Sequence, residues 1–366
     1  MALARRSVQT KTVGRTLAHD SAALHVQGSA TYIDDMREPE GTVHVYPGFA
    51  KEGALGAIKT LDLDAVKSAP GVIAVLTAKD VPGVNDCAPV FGGDPILADG
   101  RIMFHGQVVF AVVADTREAA RRAARLAKIE IVAEKPAVTV EDALALKTRD
   151  VGEPYAFIRR DAGKAIAAAK HRIEESFLVG GQEHFYLEGQ VSMAVPEEHG
   201  GVAVHCSTQH PSEVQHLVAH MLHVPAAMVT VECRRMGGAF GGKESQAAQW
   251  ACLAALAAQV TGRPAKCRLD RDEDMIMTGK RHDFRVDYKA GFDAKGRVTG
   301  VDADFLARCG YSADLSNAIC DRAMFHADNA YFYPAARIGT RRLRTHTVSN
   351  TAFRALKAAI SLRRAR

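Results

Sequence analysis

The chain is poor in the features that most quickly give a role away. Its seven cysteines (Cys87, Cys206, Cys233, Cys252, Cys267, Cys309 and Cys320) are an odd, scattered set without one C-x-x-C pair, so a disulfide framework, a zinc site and an iron-sulfur cluster all lack support. The longest apolar run, Trp250 to Val260, is about half of the ~20 residues that cross a bilayer. Arg5 and Arg6 near the start are followed by SVQTKTVGR, which has no apolar stretch of the kind a secretory signal needs. Charge of one sign is missing too. The formal charge of +5 comes from 47 Lys and Arg against 42 Asp and Glu, and Lys357, Arg363, Arg364 and Arg366 sit in the acid-free tail 355–366. The body is therefore near neutral, which argues against an extended nucleic-acid or membrane-surface footprint. The expectation is a reduced, cytoplasmic protein without nucleic-acid or membrane partners. At 366 residues and 47% hydrophobic content, it has material for two domains.

No internal repeat is visible, and periodicity with breakers gives the organisation. After a tail over 1–13, a first unit over 14–136 reads as α+β. Ala57 to Leu63 and Gly71 to Thr77 are predicted strands, and Met103 to Val113 (MFHGQVVFAVV) is a third. Arg117 to Ala127 (REAARRAARLA) is a helix capped by Asp115 and Thr116, and Lys128 to Ala133 is a strand again. A short helix over 138–147 and a polar stretch through Arg160 are read as a linker over 137–160. The second unit, 161–354, opens with a helix at Ala162 to Ala169. Strands follow at 172–179, 190–195 and 201–207, then a helix at Pro211 to Leu222 and a strand at 228–233. A helix from about Glu244 to Val260 is apolar on nearly every side and should be buried. Asp283 to Phe292 and Arg297 to Ala307 flank Asp293, Ala294, Lys295 and Gly296 as a hairpin.

The most informative segment is MGGAFGGKESQ, Met236 to Gln246. Gly237, Gly242 and Lys243 nearly satisfy the phosphate-loop pattern G-x-x-x-x-G-K-[ST], but Glu244 stands where the magnesium-holding hydroxyl is required. A second reading has the glycines simply turning a strand into a helix. A third has a backbone that an anionic group approaches closely at a helix start.

RMGGAFGGKES resembles the signature of the xanthine dehydrogenase and aldehyde oxidase family. Further segments resemble the family in order and spacing: QEHFYLE (182–188), STQHPSEVQ (207–215), DRAMFHADNAY (321–331) and SNTAFR (349–354). GRTLAHDSAALHVQGSATYIDDM (14–36) resembles the opening of the family's α/β hammerhead domain. The resemblance implies a hammerhead over 14–136 and the first half of a molybdopterin-binding α+β domain over 161–354. It further implies that Gln209 donates a side-chain hydrogen bond to an oxo or hydroxyl ligand of molybdenum. Phe240 and Arg354 would present backbone N–H groups to the same centre, with Gly241 beside them against the cofactor. Glu244 and Arg322 would recognise substrate, Arg322 also stabilising charge that develops on a purine as metal hydroxide attacks the ring and hydride passes to a sulfido ligand. Since an aldehyde offers no purine to orient, this Glu and Arg pair implies hypoxanthine or xanthine, oxidised toward uric acid. His184 is read as a hydrogen-bonded core residue without a catalytic role.

The family continues F-R-G-F-G-G-P-Q where this chain reads Phe353, Arg354, Ala355, Leu356, and no segment matches the family's catalytic Glu. The expectation is an incomplete, inactive form, truncated or frameshifted after Arg354, with a divergent basic tail over 355–366. FAD and [2Fe–2S] clusters are expected on a partner chain, a flavin and iron-sulfur small subunit, in a hetero-oligomer once the subunit is completed. The alternatives kept open are a P-loop-like nucleotide-binding protein and a non-catalytic hammerhead interaction module.

Overall fold

A computed structural model describes residues 13–354; the expected tails over 1–12 and 355–366 lie outside the described residues. Three sheets organise the chain. The largest has seven strands in the order Val229–Glu232, Val202–Cys206, Val191–Pro196, Ala265–Arg268, Val43–Phe49, Val108–Ala114, Val72–Thr77. A five-stranded sheet runs Asp150–Arg159, Ala336–Arg344, Val298–Gly310, Phe284–Phe292, His171–Val179. Arg101–Ile102, Gly56–Asp62 and Lys128–Ala133 form the third.

The seven-stranded sheet joins the two halves of the sequence. Val43, His44 and Val45 pair in parallel with Ala265, Lys266 and Cys267, so strands from 43–114 and from 191–268 share one sheet. Val43–Phe49 escapes a sequence reading because it carries Pro47 and Gly48, residues that a central strand normally excludes. The register explains how it tolerates them: Pro47 lies beyond the stretch bonded to 265–267 and has a strand partner only at Ala111. The missing proline N–H leaves no gap in a ladder there.

The stretch expected as a linker holds a helix, as expected, and also a strand. Val140–Ala145 is a helix with a capping box from Thr139 and Asp142. Asp150–Arg159 is a strand at the edge of the five-stranded sheet, paired antiparallel with Ala336–Arg344. Both strands hide behind polar sequence. The second owes its burial to Arg342, whose side chain lies inside and bonds the Glu153 carbonyl at 2.6 Å and the Asp321 carboxylate.

Ala248–Thr261 is the central helix. Every residue from Trp250 to Ala258 is buried, as its uniform apolarity requires, and the chain leaves it through Gly262 at φ 64°. It packs with Pro211–Leu222 on one face of the large sheet, in a core that also contains Val43, Val45, Val108 and Val113. This core fixes where Glu244 and Ser245 emerge, immediately before the helix.

Leu253→Ala should lower stability by about 2–5 kcal/mol, since the side chain is fully buried in that core. Trp250 is the only tryptophan and is 1% exposed, so its fluorescence during urea unfolding measures the loss directly. An unchanged midpoint would mean that this core does not hold the two sequence halves together.

Candidate functional site

One cavity of about 660 Å³ gathers the residues singled out in the sequence. One wall is built by Gln209, Phe240, Gly241 and Glu244, and the base by Ala352, Phe353 and Arg354. The facing wall is one stripe of the helix Ser316–Phe325 and its N-cap: Leu315, Ala318, Ile319 and Arg322. Those four follow the i, i+3, i+4, i+7 spacing of a single helix face. Reading backward from Arg322 at that spacing would have found the other three, but this helix was not predicted.

The loop wall is shaped by backbone crossings. Gly241 has φ 102°, and a Cβ there would stand 2.5 Å from the Ala352 carbonyl oxygen; one on Gly242 would meet the His184 ring at 2.7 Å. Segment 237–243 therefore presses against 351–354 more closely than any side chain would permit. Phe240, within the loop segment, takes a left-handed conformation at φ 57° and is 43% exposed. The helix that follows begins at Ala248, not at Glu244. Glu244 is thus a loop residue beside the cavity, and the anion-attracting helix start expected at this loop lies further along the chain.

Gln209 is held by its own oxygen. Oε1 accepts the N–H groups of Gly241 at 3.1 Å and Lys243 at 3.4 Å, which fixes the amide's orientation and leaves Nε2 as a donor without a partner among the described residues. The Gln209 N–H in turn donates to the Lys243 carbonyl at 2.9 Å. The Phe240 N–H also donates to no described residue. Arg354 differs from expectation: its N–H donates to the Phe240 carbonyl at 2.7 Å, because the glycine crossing brings these two backbones together. The N–H expected to face a metal centre is engaged within the chain.

Lys243 corrects the nucleotide reading. Its side chain is fully buried, with Nζ 2.8 Å from the Glu188 carbonyl, 2.7 Å from Ser207 Oγ and 4.5 Å above the Tyr186 ring. Burial lowers its pKa to about 8. A phosphate-loop lysine must reach out to its ligand, and this one is turned inward.

Glu244 and Arg322 line the cavity from a loop and a helix respectively, and neither makes an ion pair with the described residues. Partial burial raises the Glu244 pKa above that of an ordinary carboxylate; His210 opposes the rise and Asp314 adds to it. Arg322 does not pair with its neighbour Asp321, which bonds Arg342 instead. His184 is 6% exposed and holds the Ala352 carbonyl at 2.6 Å through Nε2. Burial lowers its pKa, as for a core imidazole that braces the cavity base.

Residues 27–135 match the aldehyde oxidase and xanthine dehydrogenase a/b hammerhead domain, and residues 148–361 match the molybdopterin cofactor-binding domain. The chain belongs to this molybdopterin-binding family. Among relatives, xanthine dehydrogenase of Drosophila subobscura is 40% identical over 93% of this chain and 26% of its own length. Xanthine dehydrogenase/oxidase of Gallus gallus is 38% identical over 94% of this chain and 25% of its own length. The aldehyde oxidoreductase of Desulfovibrio desulfuricans superposes with a TM-score of 0.88 at 25% identity, over 95% of this chain and 40% of that one. The chain spans about a quarter of the length of the curated relatives it matches.

The donor set fits a molybdopterin group. Among the described residues no cluster of three or more His, Cys, Asp or Glu converges to ligate a metal, whereas Gln209 and Phe240, which line the cavity, each carry a neutral donor, Nε2 and the backbone N–H, without a partner among those residues. A cofactor that brings its own electron-rich ligands to its metal needs hydrogen-bond donors of this kind and no protein ligand.

Gly241→Ala should cost about 1–3 kcal/mol from the left-handed backbone alone, with displacement of 351–354 in addition. Thermal unfolding gives the first, and faster amide exchange at Arg354 the second. Wild-type exchange at Arg354 in the variant would show that the crossing does not depend on glycine.

Proposed function

We propose that this chain forms the substrate-facing and part of the cofactor-facing wall of a molybdenum hydroxylase that oxidises hypoxanthine and xanthine toward uric acid. The observation that carries the reading is that Glu244, from a loop, and Arg322, from a helix, line one cavity, both free of ion pairs with the described residues. A purine offers ring nitrogens at one edge and carbonyl oxygens at another, and a carboxyl facing a guanidinium complements that pattern. Leu315 and Ile319 add apolar surface for the ring between them.

When bound, the molybdenum cofactor supplies the two-electron acceptor and the oxygen that enters the ring. Gln209 Nε2 and the Phe240 N–H would hold it by donating to its electron-rich ligands, with Gly241 keeping the backbone close and Arg354 closing the wall. Glu244, which retains its proton more readily than an exposed carboxyl, can hydrogen-bond a ring nitrogen as donor when neutral and as acceptor when ionised. The Arg322 guanidinium stabilises negative charge that develops on the purine oxygen; in this sense it is the catalytic residue of this chain. No second carboxylate lines the cavity among the described residues, so the reading assigns the general base to a residue outside them. It also assigns FAD and [2Fe–2S] clusters to a partner subunit. No described helix is long and apolar enough to cross a membrane, and seven free cysteines suit a reducing compartment such as the cytoplasm.

In the holoenzyme that contains this chain, Glu244→Val and Arg322→Met should each lower kcat/KM for xanthine by about 10²-fold to 10³-fold, the usual loss when a donor is removed from a water-poor site. Aldehyde turnover should fall far less. Equal losses for both substrates would show that the pair supports fold or cofactor and does not read the purine.

A further inference from the structure

Behind the two walls of the cavity lies a second, much smaller one of about 40 Å³. It is lined from the first part of the chain by Cys87, Pro89, Asp94 and Pro95, and from the second by Ser245 and Asp314 among others. Ser245 follows Glu244, and Asp314 precedes Leu315, so this cavity adjoins both walls of the larger one. Two carboxylates face it from different parts of the sequence.

Both are held in place by backbone. Residues 81–99 form a long loop without regular structure. Gly83 and Val84 donate to the Met221 and His220 carbonyls at the end of helix Pro211–Leu222. Asn85 exchanges two hydrogen bonds with the backbone of Leu97. Asp86 accepts the N–H groups of Ala88, Gly93 and Asp94, and the Asp94 carbonyl accepts from the Cys87 N–H at 2.9 Å. Gln249, on the central helix, donates to the Ile96 carbonyl at 2.9 Å. The Asp94 carboxyl is thereby fixed against the second part of the chain. Asp314 is 4% exposed, sits at φ 37°, and its Oδ2 has no hydrogen-bond partner.

The surroundings offer these carboxyls little charge compensation. Asp94 is faced by Asp86 and Cys87 of its own loop and by Tyr311 and Ser312 before the Arg322 helix. Asp314 is faced by the hydroxyls of Ser245 and Thr351 and by His282; Glu213 and Glu244 both feel its charge. His282 is the one group in this set that could carry positive charge. Two buried anions sharing one polar pocket without a cation are costly, and the ordinary resolution is to keep a proton. Among the described residues no group of three or more ligating side chains is placed to bind a metal ion instead. Burial, then Asp314, pushes the Asp94 pKa up to about 7, and burial raises that of Asp314.

We propose that Asp94 and Asp314 hold one proton between them, and that this pair, left with a single negative charge, clasps the 81–99 loop onto the segments that carry Glu244 and Arg322. The proton stands independently of the purine reading; only its relevance to substrate positioning rests on that reading. When the proton leaves, two adjacent anions repel across the junction of the two sequence halves, and the clasp loosens where the larger cavity is walled.

The sign follows from linkage. The unfolded carboxyl ionises near pH 4 and the folded Asp94 at about 7, so between those values the native state binds one more proton than the unfolded state and loses stability as pH rises; above 7 the contribution is flat. Urea unfolding of the full chain should therefore show an unfolding constant that increases by up to about tenfold per pH unit below 7. Asp94→Asn, a neutral isostere, should flatten that slope and be more stable than wild type at pH 8. Infrared spectroscopy of the wild type gives a second measurement that needs no variant to fold: a protonated-carboxyl band that is stronger at pH 6 than at pH 8. A variant with the wild-type slope that is no more stable at pH 8, or a wild type with no titrating carboxyl band, would overturn the proposal. Neither measurement needs cofactor or purine, so a failure of the purine reading leaves both intact.

Discussion

Gly241 and Gly242 let one backbone segment press against another where a side chain would collide with the Ala352 carbonyl or the His184 ring. That crossing determines much else. It brings the Phe240 carbonyl to the Arg354 N–H, and it turns the Gly241 and Lys243 N–H groups toward Gln209 Oε1. With its oxygen so occupied, Gln209 has only donors left for the cavity. The free N–H of Phe240 arises from the same crossing, since a left-handed residue just before the tightly folded Gly241 cannot continue a regular ladder. A side chain at Gly241 would disturb the cavity base, the Gln209 anchor and the exposed amide together.

The sequence revealed those elements whose local chemistry agrees with their tertiary role. Lys128–Ala133 and Pro211–Leu222 have the predicted bounds, and the hairpin around Asp293 forms because that carboxylate accepts the Lys295 and Arg297 N–H groups. The strands that stayed hidden are those whose local signals point the other way. Val43–Phe49 carries Pro47 inside a sheet, and Ala336–Arg344 has four arginines. Only pairing with distant strands explains either. Helix Ser316–Phe325 was missed for a related reason: it has no side-chain cap at Leu315 and no acid in its first turn, so it lacks a start signal.

At the site, motif order identified Gln209, Phe240, Gly241, Glu244 and Arg322, and all five line one cavity. Their roles were less legible. Asp321 and Arg322 are adjacent in sequence, which suggests a surface pair, but they project from different sides of a helix. Asp321 reaches the buried Arg342 of the neighbouring strand, whereas Arg322 belongs to the stripe with Leu315, Ala318 and Ile319. A buried guanidinium left without its carboxylate would be far more costly than an exposed one. The competition for Asp321 therefore goes to Arg342, and Arg322 is left available to the cavity.

The treatment of Lys243 carries the same logic to the choice of ligand. A glycine loop ending in lysine could neutralise a polyanion if the ammonium pointed outward. Here it bonds the Glu188 carbonyl and Ser207 Oγ beneath the Tyr186 ring, while Glu188 Oε2 accepts the Gly237 N–H at 3.0 Å. The cation thus braces the loop from behind. What the loop offers the cavity is neutral amide hydrogen, and the guanidinium that lines the opposite wall belongs to a helix that the loop does not control. A triphosphate needs concentrated positive charge on the loop itself. A group with diffuse negative charge on its own ligands needs well-placed neutral donors, and a planar substrate beside it needs one cation at a distance. The separation of these two kinds of donor onto different walls lets the loop hold a cofactor while the helix selects what reacts with it.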